Sequence, residues 1–246
     1  MKLLTKHYPR MKKNEIPIIY QDEFVLAFDK PSGLIVDKAE SNENKQYTLQ
    51  EYLEENRSKL GIDDDLDRCG IVHRLDKETS GIILVAKSEA THQNLQKQFS
   101  DRRVKKEYVA VVEGKVKDEN FTIDAPVGRN PKNRMRFCVI AGGKPSVTKF
   151  MRVKEVFLES YTYSLLKVFP LTGRTHQIRV HLASYGHPVA GDFLYSGKKS
   201  FAKSFLIFGR MMLHSLVVEF FHPVTNEVIR LESLLPSQFK ALYNSD

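Results

Sequence analysis

The chain has 246 residues, of which 41% are hydrophobic and 28% are charged, a composition typical of a globular protein. Its 38 lysines and arginines outnumber its 30 aspartates and glutamates, so the formal net charge is +8, which favours a polyanionic partner such as nucleic acid. Two distant cysteines exclude a disulfide framework and a C-x-x-C metal motif. No apolar run is long enough to cross a bilayer and the start lacks a signal-peptide core, so we expect a cytoplasmic protein with no membrane partner.

In chain order, we predict a basic arm over residues 1–15 and a single domain over residues 16–246. Short apolar or alternating runs predict strands at residues 16–20, 24–28, 82–86, 107–113, 146–157 and 162–169, and a hairpin of residues 211–221 and 227–231. Helical spacing and capping residues predict helices at residues 48–60, 88–100, 178–185 and 236–243.

The densest polar cluster is residues 70–81, G-I-V-H-R-L-D-K-E-T-S-G, which runs directly into the apolar strand of residues 82–86. His73, Arg74 and Asp76 would therefore lie on a loop anchored to the interior of the sheet, a common way to present catalytic groups. The alternative is a charged turn that leads into a core strand, because most surface Arg–Asp pairs contribute little.

Two later segments carry candidate nucleic-acid contacts. Tyr108 lies near the start of a predicted interior strand, where its ring could reach a cleft; composition alone favours a core tyrosine. Residues 125–136 form a basic loop in which Arg129, Lys132 and Arg134 are free to reach a phosphate backbone.

The second polar cluster is residues 171–186, L-T-G-R-T-H-Q-I-R-V-H-L-A-S-Y-G. At about 100° per residue, Arg179 lies at the border of the apolar helix face, where an arginine can bury its stem or simply extend into solvent. His176 and His181 are five positions apart, which predicts opposite sides of a helix, unlike the i, i+4 pair of zinc helices. We therefore expect no metal site.

The first cluster resembles the signature of the RluA-type RNA pseudouridine synthases, H-R-L-D, two variable residues, T-S-G, and an apolar strand that ends in A-K. The strings K-P-S-G-L at residues 30–34, K-x-Y at residues 106–108 and T-G-R-T-H-Q-I-R-x-H-L at residues 172–182 resemble further motifs of that family. The resemblance implies that Asp76 is catalytic, that Tyr108 packs against the target uracil and that Arg179 pairs with Asp76.

The resemblance also implies an α+β fold, with a mixed, largely antiparallel sheet, flanking helices and a central cleft. It implies that residues 16–246 form a catalytic domain that isomerises uridine in RNA without a cofactor. Many family members also carry an N-terminal S4-type RNA-binding domain; the segment before Ile18 is too short for one, so we expect a catalytic domain alone. Besides the three catalytic candidates, the residues expected to bind RNA are His73, Arg74, Arg129, Lys132, Arg134, Arg174 and His176.

The basic loop and the following G-G-K-P-S-V-T-K-F look most like family members that act on large-subunit ribosomal RNA, with transfer RNA as the alternative. DNA is not expected as a partner, and a monomer is the simplest assembly. A non-catalytic RNA-binding or ribosome-assembly protein on the same fold is the main rival. A glycoside hydrolase would need a second carboxylate, for which only Glu78 is close in sequence, and a zinc deaminase would need P-C-x-x-C, which is absent.

Overall fold

The computed structural model describes residues 15–38 and 46–244. The predicted basic arm lies outside the described residues except for Glu15. Eleven strands occur in this part of the chain: β1 Ile18–Gln21, β2 Val25–Lys30, β3 Ser80–Ala86, β4 Lys105–Glu113, β5 Asn120–Asp124, β6 Val127–Arg129, β7 Phe137–Val139, β8 Val147–Leu158, β9 Tyr161–Pro170, β10 Leu213–Phe221 and β11 Val228–Glu232. The helices are α1 Leu49–Glu55, α2 Arg57–Leu60, α3 Glu89–Ser100, α4 Gln177–Ser184, α5 Lys198–Phe208 and α6 Ser237–Asn244.

Nine of these strands form one sheet, in the order β1-β2-β3-β10-β4-β9-β8-β5, with β11 paired to β10. Only β3 and β10 run parallel; the other pairs are antiparallel. Strands β6 and β7 form a separate two-stranded hairpin, called here the basic hairpin (residues 127–139). The predicted α+β class, with a mixed and largely antiparallel sheet, is confirmed.

Strand β3 is buried along its whole length, as its unbroken apolar sequence predicts. Its alternate side chains enter two different apolar clusters. Ile83 and Val85 pack into the larger cluster, while Ile82 and Leu84 pack into the smaller one beneath α3. The loop before β3 is therefore fixed at the centre of the protein, between two packed layers.

Capping residues in the sequence explain where α1 and α3 begin. Thr48 and Glu51 form a reciprocal capping box at the start of α1, and the Ser88 hydroxyl accepts from the Thr91 amide at the start of α3. Several expectations were incomplete. The predicted helix of residues 48–60 is divided into α1 and α2, and strand β5 and helix α5 were missed. Helix α4 begins at Gln177, so His176 is its N-cap residue and does not lie on the helix opposite His181.

The point where β3 meets β10 requires a glycine. Gly81 has φ of 109°, and a Cβ atom there would lie 2.1 Å from the Ser215 carbonyl oxygen. We expect Gly81→Ala to lower the free energy of unfolding by roughly 3 kcal/mol, because it combines a disfavoured φ with a backbone clash.

Gly142→Ala is the matched control, because Gly142 also has a positive φ, 79°, but no atom lies within 4 Å of the place where its methyl group would be. Its expected loss is about 1 kcal/mol. Urea unfolding of both variants measures the difference. Equal losses in the free energy of unfolding would contradict the proposed clash at Gly81.

Candidate active site

A central cleft of about 570 Å³ opens beside residues 70–81, which we call the signature loop. Its lining includes residues 72–76 of that loop, Lys106 and Tyr108 of β4, and residues 170–179 ahead of and within α4. The three motifs that are distant in sequence therefore meet around one cavity. The expected central cleft is present.

Asp76 is paired with Arg179 at the floor of this cleft. Arg179 Nη1 donates to Asp76 Oδ2 at 2.8 Å, and the Asp76 side chain is 17% exposed. Burial raises the pKa of Asp76, but opposing electrostatic interactions, the largest of them with the Arg179 guanidinium, hold the pKa below its usual range. Asp76 is therefore ionised at neutral pH.

Arg179 is held by a second carboxylate that the sequence did not single out for this role. Its Nε and Nη2 donate to the two oxygens of Asp192 at 2.7 and 2.9 Å. Asp192 is fully buried, and its Oδ1 also accepts from the amides of Leu194 and Tyr195. Arg179 thus makes a bidentate contact with the fully buried Asp192 and a single hydrogen bond with Asp76, which lines the cleft.

The K-P-S-G turn holds the backbone next to Asp76. The Gly33 amide and the Lys30 ammonium both donate to the Lys77 carbonyl, at 2.7 and 3.1 Å. The Ser32 hydroxyl donates to the Glu78 carbonyl at 2.7 Å. These contacts join residues 44 to 47 positions apart in sequence, and together they support the backbone that carries the carboxylate.

Lys30 predicts a measurable pH dependence of stability. Its Nζ atom is fully buried among three carbonyl oxygens, and burial lowers the pKa of Lys30 from 10.5 to about 7. Between those values the unfolded chain binds the proton and the folded chain does not, so stability rises with pH across the window. Lys30 then raises the free energy of unfolding by up to about 1.4 kcal/mol per pH unit.

Urea unfolding at intervals from pH 7 to pH 10 measures this slope. A Lys30→Met variant should show a shallower rise than the wild type, whereas Lys105→Met, which changes an exposed lysine, should leave the slope unchanged. Parallel curves for the wild type and Lys30→Met would contradict the assignment.

Tyr108 lines the cleft from the fourth position of β4 and is 8% exposed. Burial raises its pKa to about 12, so its hydroxyl stays protonated at neutral pH. The ring can therefore offer an apolar face and a hydrogen-bonding hydroxyl, but the phenol does not act as a base. Tyr108 and Asp76 line the same cavity.

His176 and Tyr195 form a polar contact beside this pair. Tyr195 Oη lies 2.8 Å from His176 Nδ1, and the Tyr195 ring centre lies 5.1 Å from the Arg179 guanidinium carbon. Burial lowers the pKa of His176, which keeps the imidazole neutral. Tyr195 was not predicted as a site residue, although it follows Asp192 by three positions in a turn.

The other expected RNA contacts of the cleft differ in their surroundings. His73 Nε2 accepts from the Leu84 amide at 2.9 Å, its ring stacks on Phe99, and burial lowers its pKa to about 3. It is a neutral ring fixed by the protein. Arg74 and Arg174 are exposed cations on the cleft wall, and Arg74 lies 3.4 Å from an Asp37 oxygen.

The remaining three expected contacts, Arg129, Lys132 and Arg134, lie outside the cleft lining, on the basic hairpin. All three are exposed. Arg129 donates to the Arg134 carbonyl at 2.7 Å and lies 5.0 Å from the centre of the Phe137 ring. The hairpin therefore presents cations to solvent beside the cleft. That these three residues bind RNA stays a prediction.

Within residues 15–38 and 46–244, no three His, Cys, Asp or Glu side chains are grouped closely enough to hold a metal ion. His181 lies between Thr148 Oγ1 and the Ala125 carbonyl, and His187 Nδ1 lies 2.8 Å from the Glu113 carbonyl. None of the helices in these two ranges combines the length and the apolar character needed to cross a membrane.

Comparison with known proteins identifies the class. A family model described as RNA pseudouridylate synthase matches residues 24–184. An uncharacterized RNA pseudouridine synthase of Aquifex aeolicus (strain VF5) is 40% identical over 239 residues, which cover 95% of this chain and 74% of that protein. Ribosomal large subunit pseudouridine synthase D of Nitrosomonas europaea is 40% identical over 230 residues, covering 92% of this chain and 64% of its own length.

Among solved structures, human RNA Pseudouridylate Synthase Domain Containing 1 superposes with a TM-score of 0.72 at 26% identity, over 95% of this chain and 97% of that one. The chain therefore belongs to the RNA pseudouridylate synthase family, whose members are isomerases that act on RNA. Its α+β architecture is that of this family.

Proposed function

We propose that the chain converts uridine to pseudouridine in large-subunit ribosomal RNA, with Asp76 as the catalytic carboxylate. The observation that carries the proposal is the state of Asp76: it is ionised, its Oδ2 is held by Arg179, and its Oδ1 accepts no hydrogen bond from the described residues. Asp76 lines the same cleft as Tyr108 and two exposed arginines, Arg74 and Arg174.

The reaction breaks the N1–C1′ bond, turns the uracil and joins C5 to C1′, after which C5 loses its proton and N1 gains one. It is a rearrangement of one substrate, so it requires no second substrate and no redox change. Attack on C1′ and removal of a proton from the sugar both use an ionised carboxylate beside the ribose, which Asp76 supplies. The ion pair with Arg179 keeps that carboxylate ionised and oriented.

A uridine in structured RNA must leave its stack before it reaches Asp76, at a cost of a few kcal/mol. Tyr108 would hold the extracted uracil, because aromatic rings stack on unpaired bases. Arg74 and Arg174 lie on the cleft wall where the displaced backbone would pass, and the basic hairpin extends the same positively charged surface.

Ribosomal RNA is favoured as substrate because several relatives that are 36–40% identical carry the name ribosomal large subunit pseudouridine synthase D. A monomeric enzyme is part of the same proposal, because a single chain supplies Asp76, Tyr108 and Arg179 to one cleft. The proposal also includes a cytoplasmic location.

The test compares unmodified large-subunit ribosomal RNA with unmodified transfer RNA, each incubated with the purified wild-type chain. Pseudouridine is then mapped at single-nucleotide resolution. We expect conversion of specific uridines in the ribosomal RNA only. Conversion confined to transfer RNA would replace the proposed substrate, and conversion in neither RNA with intact binding would favour the non-catalytic alternative.

A further inference from the structure

A chain of polar contacts joins the basic hairpin to the catalytic carboxylate. The Phe137 amide, in β7, donates to Tyr195 Oη at 2.9 Å. Tyr195 Oη in turn lies 2.8 Å from His176 Nδ1, and His176 Nε2 lies 3.9 Å from Asp76 Oδ1. The oxygen that faces His176 is the one that Arg179 leaves free.

The direction of these hydrogen bonds follows from their partners. Tyr195 Oη accepts the Phe137 N–H, and it has a single proton to give. Burial lowers the pKa of His176 and raises that of Tyr195, so a neutral ring meets a protonated phenol. The hydroxyl can donate to Nδ1, and Nε2 faces an oxygen of the ionised Asp76 carboxylate, which can only accept. We therefore assign the proton of the neutral ring to Nε2 and the hydroxyl proton to the contact with Nδ1.

The backbone of His176 also shows a specific constraint. His176 has φ of 57° and ψ of 16°, the left-handed region that a non-glycine residue adopts at a cost. This conformation directly precedes α4 and therefore sets the imidazole beside Arg179, which lies in the first turn of that helix. Strain of this kind concentrates at functional sites.

The basic hairpin contacts the same imidazole through a second route. The Phe137 ring meets the His176 ring edge to face, with centres 5.5 Å apart, and the Arg129 guanidinium covers Phe137. A shift of the hairpin would thus move both the hydrogen-bond donor to Tyr195 and the ring that packs on His176. The hairpin is also an exposed cationic element beside the cleft.

We propose that Tyr195 and His176 are positioning residues that couple seating of RNA on the basic hairpin to the placement of an Nε2–H donor over Asp76 Oδ1. The proposal rests on the function assigned above, in which Asp76 is the catalytic carboxylate. At 3.9 Å the donor is just beyond hydrogen-bond distance, so a small movement of the hairpin completes or opens the contact.

The first test is kinetic and uses Tyr195→Phe, which removes the hydroxyl and keeps the ring over Arg179. Single-turnover conversion at saturating RNA should slow at least about tenfold, with the RNA dissociation constant changed less than about twofold. Tyr185→Phe is the matched control, because its hydroxyl bonds to exposed Asp118 and lies outside the cleft lining; it should change neither value.

A double-mutant cycle separates positioning from a general structural role. His176→Gln keeps an N–H donor and should retain more rate than His176→Ala. In the His176→Gln background, Tyr195→Phe should have little further effect, because the hydroxyl acts through the imidazole. An undiminished effect of Tyr195→Phe in that background, or a wild-type rate for Tyr195→Phe alone, overturns the proposal.

A second measurement needs no activity. In protein labelled with ¹⁵N-histidine, His176, assigned by its loss in His176→Gln, should show an unprotonated Nδ1 and a protonated Nε2 at pH 7. Tyr195→Phe should shift this tautomer balance. A protonated Nδ1 in the wild type overturns the proposal, whereas absence of pseudouridine with the expected tautomer would count against the proposed function alone.

Discussion

Asp76→Asn should abolish pseudouridine formation while the protein remains folded and bound to RNA. The amide has nearly the shape of the carboxylate but carries no charge and can neither attack C1′ nor accept a sugar proton efficiently. We expect a loss of at least about 1,000-fold in the single-turnover rate, equivalent to about 4 kcal/mol of activation free energy.

The stability cost of this variant should be modest, on the order of 1–2 kcal/mol, because Arg179 keeps its bidentate contact with Asp192. Glu78→Gln is the matched control, since Glu78 is a carboxylate on the same loop, two residues from Asp76. It should retain the wild-type rate within about threefold. Equal losses in both variants would instead indicate a two-carboxylate mechanism.

Asp192→Asn should have the larger effect on stability. Arg179 is 2% exposed and Asp192 is fully buried, so removing this charge leaves a buried guanidinium with Asp76 as its remaining carboxylate in the described structure. Breaking a buried pair in this way typically costs about 3–5 kcal/mol. Asparagine still provides an oxygen for the Leu194 and Tyr195 amides, so the loss in free energy of unfolding measures the effect of removing the Asp192 charge.

Activity should fall as well, because Arg179 would be free to shift toward its one remaining partner and misplace Asp76. Urea unfolding and single-turnover kinetics measure the two losses. Glu219→Gln, which removes the partner of exposed Lys105, is the control and should cost less than about 1 kcal/mol. A loss for Asp192→Asn no greater than that of Glu219→Gln would contradict the account of the buried pair.

The parts of this structure that were predictable from sequence are those with a local signal. Strand β3 carries an unbroken apolar run, and the two best-defined helix starts carry Thr48 and Ser88 as caps. The family motifs predicted that Asp76, Tyr108 and Arg179 meet in one cleft. The spacing of the residues could not have predicted it, because no periodicity relates Asp76 and Arg179, which are 103 positions apart.

The burial of Arg179 was not predictable from helical spacing. Arg179 lies at the edge of the apolar face of α4, a position where its side chain could be buried or exposed. Which of the two occurs depends on Asp192, which lies in a turn after α4. Asp192 has no periodic signal of its own. A buried arginine is stable there only because a distant segment supplies a full counter-charge.

Helix α5 had a local signal that was overlooked. Phe201, Phe205 and Phe208 fall at i, i+4 and i+7, and Gly209 ends the helix in the left-handed conformation. The contacts of His176 with Tyr195 and Phe137, in contrast, have no local signal, because only the folded chain brings these residues together.

The central claim is that the ionised Asp76 carboxylate isomerises a uridine taken into the cleft. The most direct measurement is pseudouridine mapping on unmodified large-subunit ribosomal RNA treated in parallel with the wild type, Asp76→Asn and Glu78→Gln. The account predicts pseudouridine at the same uridines with the wild type and Glu78→Gln, and none with Asp76→Asn. Pseudouridine at those uridines with Asp76→Asn would contradict it.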